Sequence, residues 1–129
     1  MQDVIGEVKF DNGLGEGTAL RSWSDRTIAL VESRGRPTKE PINYKRYMEE
    51  VGFVDVNVDV FKWAYGDWMD EPKFKEMGKW MRFNQIGLMQ SFSRRARVPG
   101  GRTEEEDDVE IEAVGKEMLN PEIRSYLDL

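Results

Sequence analysis

The run from Tyr44 to Trp63, YKRYMEEVGFVDVNVDVFKW, limits the fold more than any other part of the chain. Tyr44, Tyr47, Met48 and Val51 recur at helical spacing, and Asn43 stands where a helix cap belongs. Gly52 follows at the position of a left-handed C-terminal cap. From Phe53 to Phe61 the period changes. Val54, Val56, Val58 and Val60 share one face; Asp55, Asn57 and Asp59 share the other, bracketed by Phe53 and Phe61. A switch from period 3.6 to period 2 across one glycine predicts helix, stop and strand, hence a mixed α/β fold. The polar second face predicts a strand covered on one side only.

The remaining segments extend this reading. Val4 to Phe10 has the β-rich character of a short strand, and Asp11 to Gly17 is rich in turn residues. Thr18 is placed to cap a helix carrying Leu20, Trp23, Thr27, Leu30 and Val31, which should stop near Gly35. After a loop holding Trp63, Tyr65 and Trp68, a long helix should open at Glu71–Pro72. Phe74, Met77, Met81, Leu88 and Phe92 mark its apolar stripe. Gly78 and Gly87 weaken it, with Gly87 read as a break or a close helix contact. Residues 94–102 read as a basic loop, whose Arg94, Arg95, Arg97 and Arg102 either grip an anion or are balanced by the acidic run that follows. Thr103 and Glu106 form a capping box for a helix to about Leu119, and Asn120–Pro121 should open a last turn through Leu127. The expectation is a single domain over residues 1–129, with a short two-stranded sheet and about five helices.

Composition narrows the chemistry. The net charge of −6 argues against nucleic acid as a partner, because phosphate recognition needs clustered cations. No segment approaches the ~18 apolar residues of a membrane span, and the N-terminus lacks the features of a signal peptide. The absence of Cys suits a reducing compartment, and the expected setting is intracellular, cytoplasmic with a nuclear alternative. With neither His nor Cys, no metal site is expected, and proton transfer would fall to Asp, Glu, Tyr or Lys.

The ordered set QDV, TALRSW, GRP, YKRYMEEVGFVDV, VFKW and the closing SYLDL resembles the fungal LaeA-like methyltransferases. These are class I enzymes of secondary metabolism that use S-adenosylmethionine (SAM). The resemblance implies that Gln2–Asp3 ends the fifth strand of a Rossmann-like sheet and that 53–61 forms the sixth. It also implies that residues after Trp63 help cover a substrate. Strands one to four and the closing strand find no counterpart in this reading, which makes the chain a helix-rich C-terminal remnant lacking the SAM-binding half. SAM is implied by the family, but the chain alone is expected to bind no cofactor. It is expected to associate with itself or with a methyltransferase-like subunit. The alternative is a cofactor-free accessory subunit, or a cyclase- or isomerase-like pocket protein of a natural-product pathway.

Site residues follow partly from this resemblance and partly from the residues themselves. Asp3, near the substrate end of the fifth strand, is the catalytic candidate, set against an ordinary strand-end residue. Trp63, Tyr65, Trp68 and Trp80 are candidates for lining a pocket for a hydrophobic small molecule, set against core packing or an interface. Asp11, Gly13, Gly15 and Gly17 match the acidic-x-G-x-G-x-G pattern of a cofactor loop. A cofactor unit also needs a second strand soon after the helix, ending in an acidic residue for the ribose. GRPTKEP follows instead, so the loop is read as a decoy and a connector.

Overall fold

The computed structural model describes residues 2–129, the side chains of 96–99 excepted. In chain order the elements are β1 (Ile5–Phe10), α1 (Ala19–Ser33), a 3₁₀ turn (Glu40–Asn43), α2 (Tyr44–Glu50), β2 (Lys62–Ala64), α3 (Pro72–Gly100), α4 (Glu104–Glu117) and β3 (Ser125–Asp128). The fold is mixed α/β and helix-rich, as the periodicities predict.

The sheet differs in detail from the expected two strands. It has three, in the order β1-β3-β2, and β3 runs antiparallel to both neighbours. The residues read as a closing turn are therefore the central strand. Ser125, Tyr126 and Leu127 alternate in side, and their backbone meets β1 at Lys9 and Phe10 and β2 at Trp63 and Ala64.

The expected strand over 53–61 does not form. Asp55 takes a left-handed backbone (φ 56°), which breaks the extended path; a short polar side chain tolerates that region better than a valine would. Val54 is 83% exposed and Val58 59% exposed. Phe61 and Leu129 exchange both backbone hydrogen bonds, at 3.0 and 2.9 Å, as the last rung of the β2–β3 ladder. Residues 53–60 have no facing strand among the described residues. Alternation in sequence describes a surface suited to a sheet, but a strand exists only where a neighbour supplies the ladder.

Three helices cover one side of the sheet. Val8 and Leu127 join Leu20 and Trp23 of α1, Met89 of α3, Val114 and Met118 at the end of α4, and Tyr65 in one buried cluster. The opposite side is polar: Lys9 pairs with Asp128 at 2.5 Å, and Lys62 pairs with Asp11 while its ammonium lies over the Tyr126 ring. Such division is the ordinary solution for a sheet covered on one face.

The helix ends follow the sequence closely. Thr18 accepts the Arg21 amide at 3.2 Å, Gly35 takes φ 74° past the end of α1, and Thr103 and Glu106 close the expected capping box. Asn43 makes no side-chain cap to α2, because it belongs to the preceding 3₁₀ turn. α3 does not stop before a loop at 94–102; it continues to Gly100, and Gly101 (φ 65°) ends it. Its buried line runs through Gly78, Gln85, Met89 and Ser93, one step round from the expected stripe, and leaves Met77 and Leu88 exposed.

The two α3 glycines have different roles. A Cβ on Gly78 would stand 1.8 Å from the Gly66 carbonyl oxygen, whereas a Cβ on Gly87 would meet nothing within 4 Å. Gly66 in turn (φ 89°) lies against the Met118 carbonyl and donates its amide to Gly78 at 3.0 Å. The close contact is therefore at Gly78, between helix and loop backbone. Gly78→Ala should destabilise the chain by about 2 kcal/mol or more through overpacking. Gly87→Ala should stabilise it by about 0.5–1 kcal/mol through helix propensity. Urea unfolding of both variants checks the pair, and equal effects would contradict this packing.

Candidate functional site

A cleft of about 350 Å³ opens where the N-terminal end of β1, α2, residues 56–61 and Leu129 meet. Asp3 lies on its rim, before β1 begins rather than at the end of a strand. Its carboxylate accepts the Tyr44 hydroxyl at 2.8 Å and the Val4 amide at 2.8 Å. The Tyr44 hydrogen bond, then the amide, hold the Asp3 pKa below its ordinary value. The same bond raises that of Tyr44. Asp3 is thus an ionised, oriented acceptor with Tyr44 as its donor, beside an apolar wall that includes Met48, Val56 and Val58. Sequence reading assigned Tyr44 only to the apolar face of α2; the sequence carried no signal for its partner 41 residues away.

The glycine-rich loop does lie between a strand and a helix. Its glycines, however, serve the local turn and its packing. Gly13 and Gly17 take φ 69° and 76°. A Cβ on Gly15 would fall 2.2 Å from the Phe10 ring. The amides that open α1 are already engaged: Ala19 and Leu20 donate to the two carboxylate oxygens of Glu117, at 2.6 and 2.9 Å, and Arg21 donates to Thr18. A helix N-terminus attracts anions through its free amides and its dipole. Here the anion comes from the end of α4.

The four aromatic candidates do not converge. Trp63 sits opposite Leu127 on the helix-covered side of the sheet, and its buried Nε1 has no partner among the described residues. Tyr65 is buried and lines a different cavity, under α1 and α3. Trp68 donates its Nε1 to the Ser125 carbonyl at 3.0 Å and pins the loop to β3. Trp80 is 63% exposed on α3. Of the arginines, Arg102 pairs with the buried Asp107 at 3.0 Å and with Glu110 at 3.3 Å, and Arg26 of α1 joins Glu110 at 2.6 Å. The Arg97 side chain lies outside the described residues. Among the described residues no acidic group of three or more is placed to hold a metal, and no helix is long and apolar enough to cross a membrane.

Two outcomes follow from this geometry. Glu117→Gln removes the charge at the opening of α1 and should cost about 1 kcal/mol of unfolding free energy. Asp3 has a folded pKa below its unfolded value, so its contribution is complete above the usual carboxylate range and is lost as pH falls through the folded value. Tyr44→Phe should return the Asp3 titration, followed by carboxyl-carbon NMR, towards the ordinary value. An unmoved titration would dissociate the two residues.

No family model matches the chain, and no solved structure matches it. Among curated proteins it is similar to the probable methyltransferase tdiE of Emericella nidulans, 30% identical over 94 residues, covering 72% of this chain and 30% of that protein. It is 26% identical over 121 residues to the protein-methionine methyltransferase laeA of Chaetomium globosum, covering 90% and 37%. It is 28% identical over 102 residues to the methyltransferase pytC of Aspergillus terreus, covering 78% and 32%. The chain thus spans between 30% and 37% of the length of these relatives. Over the part that it spans, the chain is similar to fungal methyltransferases, laeA among them.

Proposed function

We propose that the chain supplies the substrate-facing portion of a SAM-dependent methyltransferase of fungal secondary metabolism, and that it does not hold SAM by itself. The observation that carries this reading is the engagement of the α1 N-terminus by Glu117. SAM carries a carboxylate and a ribose diol. Glu117 would repel the carboxylate at this glycine-rich helix opening. After α1 the chain continues into a 3₁₀ turn and α2, without the strand and acidic end that would take the diol. The residues present do not fit the cofactor, so any donor would be held by other polypeptide.

The Asp3–Tyr44 pair is the group suited to the acceptor side. An ionised carboxylate on the rim of a partly apolar cleft accepts a hydrogen bond from a hydroxyl of a small metabolite and orients its oxygen. The apolar wall suits the carbon skeleton of such a molecule. This reading goes with an intracellular setting, cytoplasmic or nuclear.

Association is part of the reading. Phe53, Val54, Val58 and Val60 are each more than half exposed, in a segment whose backbone faces no strand among the described residues. Antiparallel pairing of two copies about Asn57 would set Asp55 against Asp59, and like charges directly opposite are unfavourable. A methyltransferase-like subunit with a basic or neutral strand face fits this segment better than a second copy.

Calorimetric titration with SAM tests the cofactor half of the reading. The expected result is no binding in the micromolar range by the chain alone. Micromolar binding that strengthens in Glu117→Gln would overturn it, since it would make the glycine-rich loop the site.

A further inference from the structure

The outer side of α3 carries a pattern of its own. Gln85, Met89 and Ser93 are buried on the core side, and Arg82 reaches the Gly115 carbonyl of α4. On the side away from both, Glu76, Trp80, Phe83, Gly87, Gln90 and Arg94 are all exposed, Trp80 by 63% and Phe83 by 71%. Their spacing alternates between four and three residues, which keeps one line of a helix against a second helix. The line runs from an acidic to a basic residue, about 27 Å apart along the axis. At its middle stand a large ring and a glycine. A Cβ on Gly87 would meet nothing within 4 Å, so no contact inside the chain explains a residue that weakens the helix.

We propose that this line is a self-association surface, on which α3 of a second copy packs antiparallel about a twofold axis level with residue 85. That arrangement sets Glu76 against Arg94, Trp80 against Gln90, and Phe83 against Gly87, and each pairing occurs twice. The ring then fills the space that the glycine leaves. A parallel arrangement would set Glu76 against Glu76 and Arg94 against Arg94, and like charges disfavour it. Each chain carries a net charge of −6, so its surface as a whole repels a copy. The six residues of this line sum to zero, and their signs match only when reversed. The surface is separate from residues 53–61 and from the Asp3–Tyr44 cleft, and it does not depend on methyl transfer. Two helices meeting over this length bury an area at the low end for specific interfaces, so the dimer should dissociate on dilution.

Sedimentation of the 129-residue chain tests this. The mass should rise from monomer at about 1 μM to dimer at about 100 μM, the range of a small interface. Phe83→Glu should leave a monomer at both concentrations with circular dichroism unchanged, because Phe83 lies outside the core cluster. Glu76→Arg and Arg94→Glu should each weaken the dimer by about tenfold or more, since each sets like charges face to face. The two substitutions together should restore it. A chain that stays monomeric at about 100 μM, a dimer that survives Phe83→Glu, or a double variant no better than its parents overturns the proposal.

Discussion

The fold depends on β3. β1 and β2 lie on either side of it and are parallel to one another without touching, so their only ladder is the shared four-residue strand. Ser125 shows how much converges there. Its carbonyl accepts from the Tyr65 backbone and from the Trp68 indole, and its side chain is wholly buried. Leu127 on the same strand enters the central apolar cluster. A short central strand with partners on both edges is far more secure than either flanking pair would be alone.

Around that strand, the helices are set by backbone contact as much as by apolar area. Gly66 and Gly78 let the loop after β2 lie directly on α3, and the Met118 carbonyl closes on the same glycine from the other side. α1 is tied to α4 twice, by Glu117 at its opening and by the Arg26–Glu110 pair further along. The second tie continues to Arg102 and the buried Asp107. A charge buried to that degree stays only where its partners are in place, so α1, α4 and the turn before α4 are fixed as one group. The Asp3–Tyr44 cleft lies at the other end of the sheet and rests on the two-sided pairing of β3.

What was legible in the sequence was local. Thr18, Gly35, Pro72, Thr103 and Glu106 each act within a few residues of themselves, and each does what its type predicts. The family resemblance was legible too, because it rests on ordered segments. What escaped was everything set by distant contact. Glu117 reads as one acidic residue among many, and nothing near it points to an amide 98 residues earlier. Gly78 and Gly87 look alike until the loop that packs on one of them is known. The valine alternation at 53–60 was read correctly as a pattern and incorrectly as a strand, because pairing is a property of two segments. Ser125–Asp128 was missed for the converse reason: four residues are too few to show a period, and their strand character comes from neighbours on both sides. The site divides in the same way. Asp3 was found through the resemblance, while its hydroxyl partner Tyr44 had no sequence signal at all.

The pairing of Ile5 with Asp128 also fixes the order of events during synthesis. α1 and most of α3 are local structures that can form as they leave the ribosome. The sheet cannot, because its middle strand is translated after everything it joins. Until then β1 and β2 have both edges open, and the apolar side of the early helices has nothing to close on. Contacts of such long sequence separation slow folding and lengthen the interval in which open edges are exposed. For this molecule, that interval lasts until Ser125–Asp128 has been made.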